Sequence, residues 1–460
     1  MTSRSILVWI IAAAHGLQIS RSQSVCGSVV DAGSSGSRLF IHHCDLIDNS
    51  LQDCYAAFEQ SVDGGWQSTP ESERDAYWQN LFRNSTQALE DYCNQTETDT
   101  PLVIAATAGM RQATPEDQHD FVQSTSDWVA RSTHYNNATV EIIPGTREAW
   151  YDWLAVNTQF GKFSDDCSTP LFSVIDVGGA SIEWAYETDQ IQSLPHGEQW
   201  QFDQGCRQQI KLALSSWLGL GTDQVIAATR DATKCYAPNL PIIDSSTGYG
   251  QGDYRACVIT VTDFITAQPF EFSVPGLSYH AVQALSAVYY TAKDLAIDNP
   301  VSAQAWRDAG SEACSNHTDL LDDFAWQRCL TSSLIDAVLL QPANDRQINT
   351  LHTINGTSIT WTLGVMAELF TATHLSNMTA TQTSHSDNST GKISQLNLGI
   401  IVGVTSVLVF LAVVAYTDPS IRKRLTTRDG LFGQSSKDTL RQGLLDNDIE
   451  NLNKKSGCSF

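Results

Sequence analysis

Basic residues are scarce in this chain of 460 residues: 27 Lys and Arg stand against 51 Asp and Glu, a formal net charge of −24. That shortage speaks against nucleic-acid binding, because phosphate backbones are held by basic surfaces. Proline is sparse too, with 13 residues, while 42% of the chain is hydrophobic. Such a composition excludes a disordered or fibrous chain and describes a globular one, with length for about two or three domain-sized units. Long apolar runs are few. Ile6–Ala14 (ILVWIIAAA) falls short of the ~20 residues that cross a bilayer. Its length and its place after Arg4 fit a signal peptide over residues 1–22, with an uncleaved anchor as the alternative.

A second run is long enough to span. Leu396–Tyr416 carries no charge, Arg422, Lys423, Arg424 and Arg428 follow it, and Lys392 stands nearly alone before it. The positive-inside rule puts the C-terminus in the cytoplasm. Sequons at Asn84, Asn94, Asn137, Asn316, Asn355, Asn377 and Asn388 all precede the run and none follows it. Ten of the eleven cysteines (Cys26, Cys44, Cys54, Cys93, Cys167, Cys206, Cys235, Cys257, Cys314 and Cys329) also precede it, an even number suited to disulfides in an oxidising compartment. Cys44 with Cys54 and Cys314 with Cys329 are near enough in sequence for local loops. Cys458, third from the end, does not fit the prenylation pattern. These features predict a single-pass type I membrane protein with a lumenal or extracellular domain, in the Golgi, the endolysosomal system or the cell surface.

One arrangement occurs twice. Ser28-Val29-Val30 leads into Asp31-Ala-Gly-Ser-Ser-Gly-Ser37, and Arg38-Leu-Phe-Ile41 resumes the apolar pattern. Leu171–Ile175 leads into Asp176-Val-Gly-Gly-Ala-Ser181, followed by Ile182–Tyr186. Each reads as a hairpin with a glycine-rich tip and an acidic residue at its base. The aspartates lie 145 residues apart, which suggests two similar α/β lobes facing a shared cleft. The expected organisation is lobe I over 25–165 and lobe II over 166–375, with a C-terminal helix returning towards lobe I. A glycosylated stalk (376–395), the membrane helix (396–416) and a cytoplasmic tail (417–460) follow. Helical patterns cover Ser85–Cys93, Asp117–Arg131 and His280–Leu295.

Gly/Ser tips let backbone N–H groups approach phosphate oxygens. An aspartate at such a base repels phosphate but can hold a metal ion or its waters, which bridge to the phosphates. A divalent cation also reconciles a polyanionic substrate with an acidic protein. Between the tips, the strand pattern Val103–Ala106 ends at Thr107, Gly109 and Arg111, a hydroxyl, a small turn residue and a cation. A helix start follows at Pro144-Gly-Thr-Arg-Glu148, with Trp150, Trp153, Leu154 and Asn157 at helical spacing. Glu148 is a candidate general base for a water molecule.

DAGSSGSR (31–38), ATAGMR (106–111), EAWYDWLAVN (148–157), DVGGASIE (176–183) and WTLGVM (361–366) resemble, in this order, the five conserved regions of the apyrase, or ecto-nucleoside triphosphate diphosphohydrolase, family. The likeness spans nearly all of Cys26–Leu375, and Ala284–Thr291 looks like the family's second-lobe helix. It implies two ribonuclease-H-like lobes of the actin, hexokinase and heat-shock ATPase plan around a nucleotide cleft. It also implies hydrolysis of nucleoside tri- and/or diphosphates to the monophosphate. Asp31 and Asp176 would organise Ca²⁺ or Mg²⁺ through waters. Ser34, Ser35, Gly36 and Arg38 would belong to the first phosphate loop, and Gly178, Gly179, Ala180 and Ser181 to the second. Thr107, Gly109, Arg111 and Trp361 would lie by the phosphates, and Glu148 would activate water.

Two departures stand out. Glu183 takes the place of a usual Gln and adds a carboxylate that could tighten metal binding through the metal's waters or compete with Glu148 for the proton. Ala149-Trp150 replaces a small pair after the base and narrows the cleft. The competing readings are an exopolyphosphatase-like hydrolase and a catalytically silent membrane receptor of the same fold. The signal-peptide pattern and the Trp361 motif weigh against the first, and the intact Asp31, Glu148 and Asp176 against the second.

Overall fold

Several strand segments are apolar at every position rather than at alternate ones, as in Val29-Val30 and Leu102–Ala106. A strand reads this way when both faces of its sheet are covered. The computed structural model describes residues 23–371, apart from 48–49, 164–167, 189–196, 205–206, 230, 239–248, 275–280, 317–326 and 344–346. The expected signal peptide, stalk, membrane helix and tail lie outside the described residues, as do Cys167, Cys206, Cys458, Asn377 and Asn388. No helix among the described residues is long and apolar enough to cross a membrane.

The first sheet contains β1 (Gln23–Ala32), β2 (Gly36–Ile47), β3 (Ser50–Asp63), β4 (Pro101–Ala106) and β5 (Asn137–Ile142), in the order β3-β2-β1-β4-β5. Strands β1, β2 and β3 pair antiparallel in succession, while β4 joins β1, and β5 joins β4, in parallel. Between β3 and β4 lie α1 (Arg74–Leu81) and α2 (Ser85–Ala88), whose turns continue to Cys93. Helices α3 (Ala108–Arg111) and α4 (Pro115–Ser132) link β4 to β5, and α5 (Gly145–Gln159) follows β5.

The second sheet repeats this plan. Strands β6 (Ser173–Val177), β7 (Ser181–Glu187), β9 (Arg207–Leu218), β10 (Val282–Ser286) and β11 (Asn349–Thr350) take the places of β1 to β5, with β8 (Gly197–Gln204) added at the edge beyond β9. The antiparallel pairs β6–β7 and β7–β9 and the parallel pairs β6–β10 and β10–β11 complete the correspondence. Helices α6 (Thr222–Ala228), α7 (Tyr254–Thr266), α8 (Ala287–Asp294), α9 (Ala303–Ser315) and α10 (Arg328–Ile335) belong to this half, and α11 (Trp361–Thr371) ends the described chain.

Because side chains alternate across a strand, each sheet feeds two cores. Val30, Leu102 and Ile104 join Trp78, Phe121 and Trp128 on the outer face of the first sheet. Ile175, Ile182 and Trp184 join Val258, Val261 and Leu334 on the outer face of the second. The inner faces share one core, in which Val29, Val103, Val174, Ala185 and Leu214 meet Trp150, Trp153 and Leu154 of α5 and Leu363 and Val365 of α11. Helix α5 lies against β6, β7 and β9, and α11 lies against β1, β2 and β3. The two helices cross so closely that a Cβ on Gly364 would stand 2.0 Å from the Tyr151 carbonyl oxygen.

The helix expected over His280–Leu295 requires correction. Val282–Ser286 is a buried parallel strand, and the helix starts at Ala287. A short apolar run has no periodicity that separates a buried strand from a buried helix. Four disulfides are present among the described residues: Cys26–Cys93, Cys235–Cys257 and the two local loops expected, Cys44–Cys54 and Cys314–Cys329. The described sequon residues Asn84, Asn94, Asn137, Asn316 and Asn355 are all exposed.

Candidate active site

The period of a strand decides where the aspartates point. Val29 and Val174 face the shared inner core, whereas Val30 and Ile175 face outwards. Asp31 and Asp176, two positions beyond Val29 and Val174, therefore face inwards from the ends of β1 and β6. The tips beyond them are built alike. Gly33 N–H donates to the Gly36 carbonyl at 3.0 Å in the first, and Gly178 N–H donates to the Ser181 carbonyl at 3.0 Å in the second. Ser34, Ser35 and Arg38 are exposed, and Asp31 pairs with Arg38 at 3.8 Å.

Each tip rests on glycines that the motif reading did not single out. After β3, Gly64 adopts φ +80° and donates to the Ser35 carbonyl, and a Cβ on Gly65 would lie 2.3 Å from the Ser34 carbonyl oxygen. After β9, Gly219 adopts φ +96° and donates to the Ala180 carbonyl, and a Cβ on Gly221 would lie 2.2 Å from the Gly179 carbonyl carbon. Thr222 and Asp223 at the start of α6 donate their N–H groups to Gly178 and Gly179. Gly109 supports the first tip from the other side, since a Cβ there would be 2.6 Å from that of Ser34. Thr107 precedes it, buried, with its carbonyl accepting from Met110 and Arg111.

Arg111 joins the halves. Nη1 donates to Glu148 Oε2 at 2.8 Å and to the Ile143 carbonyl at 3.2 Å, while Nη2 donates to Ser181 Oγ at 3.1 Å and to Glu183 Oε1 at 3.2 Å. All four terminal N–H groups are thus engaged, leaving Nε. Glu183 Oε1 also accepts from Ser216 Oγ at 3.0 Å. Burial raises the Glu148 carboxyl above its ordinary value, against the opposing pull of Arg111. Burial likewise raises Glu183 well above its ordinary value, and Glu148 adds to the effect. Asp31 is pushed up to about 7 by burial, then by Glu148, with Arg38 opposing and Asp176 adding. Asp176 is pushed up to about 7 by burial, with an opposing hydrogen bond from Ser286 and a contribution from Glu148. Carboxylates that raise one another in this way lie close together.

Trp361, at the start of α11, is buried and stacks on Tyr151 with ring centroids 6.2 Å apart. Tyr151 O–H donates to Glu368 at 2.8 Å, and Arg147 donates to the same Glu368 oxygen at 2.6 Å. Three aromatic rings that sequence patterning passed over stand beyond Ser286. Tyr289 stacks on His352 at 4.9 Å, Tyr290 contacts both, and Arg38 is among the charges acting on Tyr290. Ser286 itself holds φ +51°, a conformation that non-glycine residues keep only where their surroundings impose it.

Residues 18–241 match the profile of the GDA1/CD39 (nucleoside phosphatase) family. Over those residues the chain resembles that family. It is 25% identical over 338 residues to a nucleoside-triphosphatase of Caenorhabditis elegans, covering 65% of this chain and 61% of that one. It is 27% identical over 225 residues to a Golgi apyrase of Schizosaccharomyces pombe, covering 43% and 38%. The alignments thus span less than two thirds of the length of either relative. A crystal structure of nucleoside triphosphate hydrolases from Neospora caninum is similar in fold, with a TM-score of 0.58 and 13% identity, over 81% of this chain and 96% of that one.

Proposed function

We propose that this chain hydrolyses nucleoside tri- and/or diphosphates to the monophosphate by attack of water on the terminal phosphoryl group, with a divalent cation, Ca²⁺ or Mg²⁺. The observation that carries the reading is the pair of like-built tips whose aspartates lie close to Glu148. Strand order in both sheets supports a ribonuclease-H-like reading of each lobe, and the likeness to the nucleoside phosphatase family supports the nucleotide class. A lumenal or extracellular setting accords with the Golgi apyrases among the relatives.

The donor set suits a hydrated cation. Asp176 Oδ1 is buried without a hydrogen-bond partner, and water on an ion supplies the donors it lacks. No three His, Cys, Asp or Glu side chains among the described residues are grouped to chelate a bare ion, so Asp31 and Asp176 would hold the ion through its waters. When bound, the cation neutralises phosphate charge.

The chain's own groups do the rest. Exposed Ser34 and Ser35 offer hydroxyls, and the backbone amides of both tips offer donors, to the phosphates of a substrate lying between them. Glu148 takes a proton from the attacking water. Its carboxylate is fixed by Arg111, whose terminal N–H groups are all held within the protein, so orientation of Glu148 replaces the phosphate contact expected of Arg111. Glu183 in turn anchors Arg111, a task distinct from reaching the metal's waters. The Tyr289–Tyr290–His352 cluster gives a nucleobase a face on which to stack.

Phosphate release from ATP, ADP, UDP and polyphosphate by the purified full chain, with and without chelator, tests this. Release from nucleotides that chelator abolishes is expected, and Glu148→Gln should lower kcat ~10²–10⁴-fold. Release from polyphosphate alone would favour the exopolyphosphatase-like reading, and no release at all the silent receptor.

A further inference from the structure

Asp152 has no part in the chemistry above. It lies one helical turn beyond Glu148 on α5 and therefore shares its face. The residue is 2% exposed, and neither carboxylate oxygen has a hydrogen-bond partner. The charged groups acting on it are all carboxylates: Asp176 first, then Glu148, Glu183 and Asp31. Two other buried acids among the described residues are satisfied. Asp336 receives Arg307 at 3.1 Å and the Tyr254 hydroxyl at 3.2 Å, and Glu97 receives Thr86 at 2.7 Å and the His134 N–H at 2.7 Å. A buried carboxylate without a donor is costly, and such an exception calls for a ligand.

The surroundings narrow the choice of ligand. Asp31, Glu148, Asp152, Asp176 and Glu183 act on one another, while Arg38 pairs with Asp31, and Arg111 with Glu148 and Glu183, so five acidic side chains meet two guanidinium groups. Orphaned oxygens occur on Asp152 and on Asp176 Oδ1, its strongest charged neighbour. A hydrated divalent cation brings positive charge and, in its waters, the missing donors. Direct chelation is not available to it, since no three ligating side chains are grouped among the described residues. Mg²⁺, which gives up its waters reluctantly, suits such a cradle better than Ca²⁺.

We propose that Asp152, with Asp176, accepts hydrogen bonds from the waters of a divalent cation and lets the empty cleft take up that ion before any nucleotide arrives. This rests on reading the cleft as a cation and nucleotide site, yet its test involves no turnover. The nucleotide-free full chain in detergent, stripped with chelator and dialysed, is titrated with Mn²⁺ by electron paramagnetic resonance and with Mg²⁺ by thermal shift. One ion per chain is expected, with most coordination positions of bound Mn²⁺ occupied by water in spin-echo spectra. Asp152→Asn should weaken binding ~10-fold or more. It should also shrink the gain in melting temperature that Mg²⁺ gives. Asp152→Ser serves if the asparagine variant does not fold. Absence of ion uptake at millimolar concentration, or a folded variant that binds as the wild type does, overturns the proposal. Ion uptake without nucleotide hydrolysis would leave it standing and remove the activity proposed above.

Discussion

At the scale of single residues, Arg111 tests how the cleft is organised. A guanidinium offers two pairs of terminal N–H groups in a fixed fork, and here the pairs reach Glu148 and Ile143 on one side and Ser181 and Glu183 on the other. Lysine keeps the charge and loses the fork. Arg111→Lys should lower kcat ~10²-fold through misplacement of Glu148 and leave KM nearly unchanged; a raised KM with intact kcat would return Arg111 to the phosphates. His42 carries a pH prediction. Buried in β2 and sharing a 2.9 Å hydrogen bond with the Thr362 hydroxyl, its imidazole is pushed down to about 3. The folded value lies below the unfolded one of about 6.5, so the folded protein binds fewer protons. Stability is then full above pH 6.5 and lost as pH falls towards 3, at about 1.4 kcal/mol per pH unit. Between pH 7 and 4.5, chemical unfolding should show His42→Gln gaining about 2 kcal/mol relative to wild type; parallel curves would refute this. Asp31, Glu148 and Asp176 stood out in sequence because they sit in local Gly/Ser or helix-start patterns. Asp152 was not, since a polar residue in an aromatic helix reads as solvent-facing until a sheet and a second helix cover it.

At the scale of elements, the doubled hairpin was readable because its cues are local: an apolar run, an acid and a small-residue tip. The supporting glycines after β3 and β9 escaped notice, because their role depends on contact with a tip about 30 to 40 residues earlier in the chain, which spacing alone does not reveal. The crossing of α5 and α11 is non-local as well. Gly364 gives it a direct test. A methyl group there would meet the Tyr151 backbone at 2.0 to 2.6 Å, atoms that cannot rotate away. Gly364→Ala should force the helices apart, costing about 1–3 kcal/mol. It should also lower kcat, because Tyr151 and its stacking partner Trp361 move with them. Thermal unfolding and turnover measured together decide the matter; an unchanged melting temperature would mean that the crossing tolerates a wider separation.

At the scale of the whole molecule, charge and sidedness are linked. An acidic protein with a carboxylate-lined cleft attracts a polyphosphate only when cations accompany it. The ten cysteines before Leu396 suit an oxidising compartment. The four disulfides observed, and five exposed sequon residues spread over both halves, accord with that compartment. The one uncharged run long enough to cross a bilayer comes after all of these, and the basic cluster Arg422–Arg424 comes after the run. Charge, glycosylation and redox patterns respond to different physical forces, yet all three agree with the proposed type I topology. In sealed microsomes, protease added outside should remove a tag at the C-terminus and leave the segment bearing Asn84 to Asn355 intact. Peptide N-glycosidase should then increase the mobility of that protected fragment. A protected C-terminal tag, or a fragment whose mobility the glycosidase leaves unchanged, would place the chain differently and detach the cleft from a lumenal or extracellular substrate.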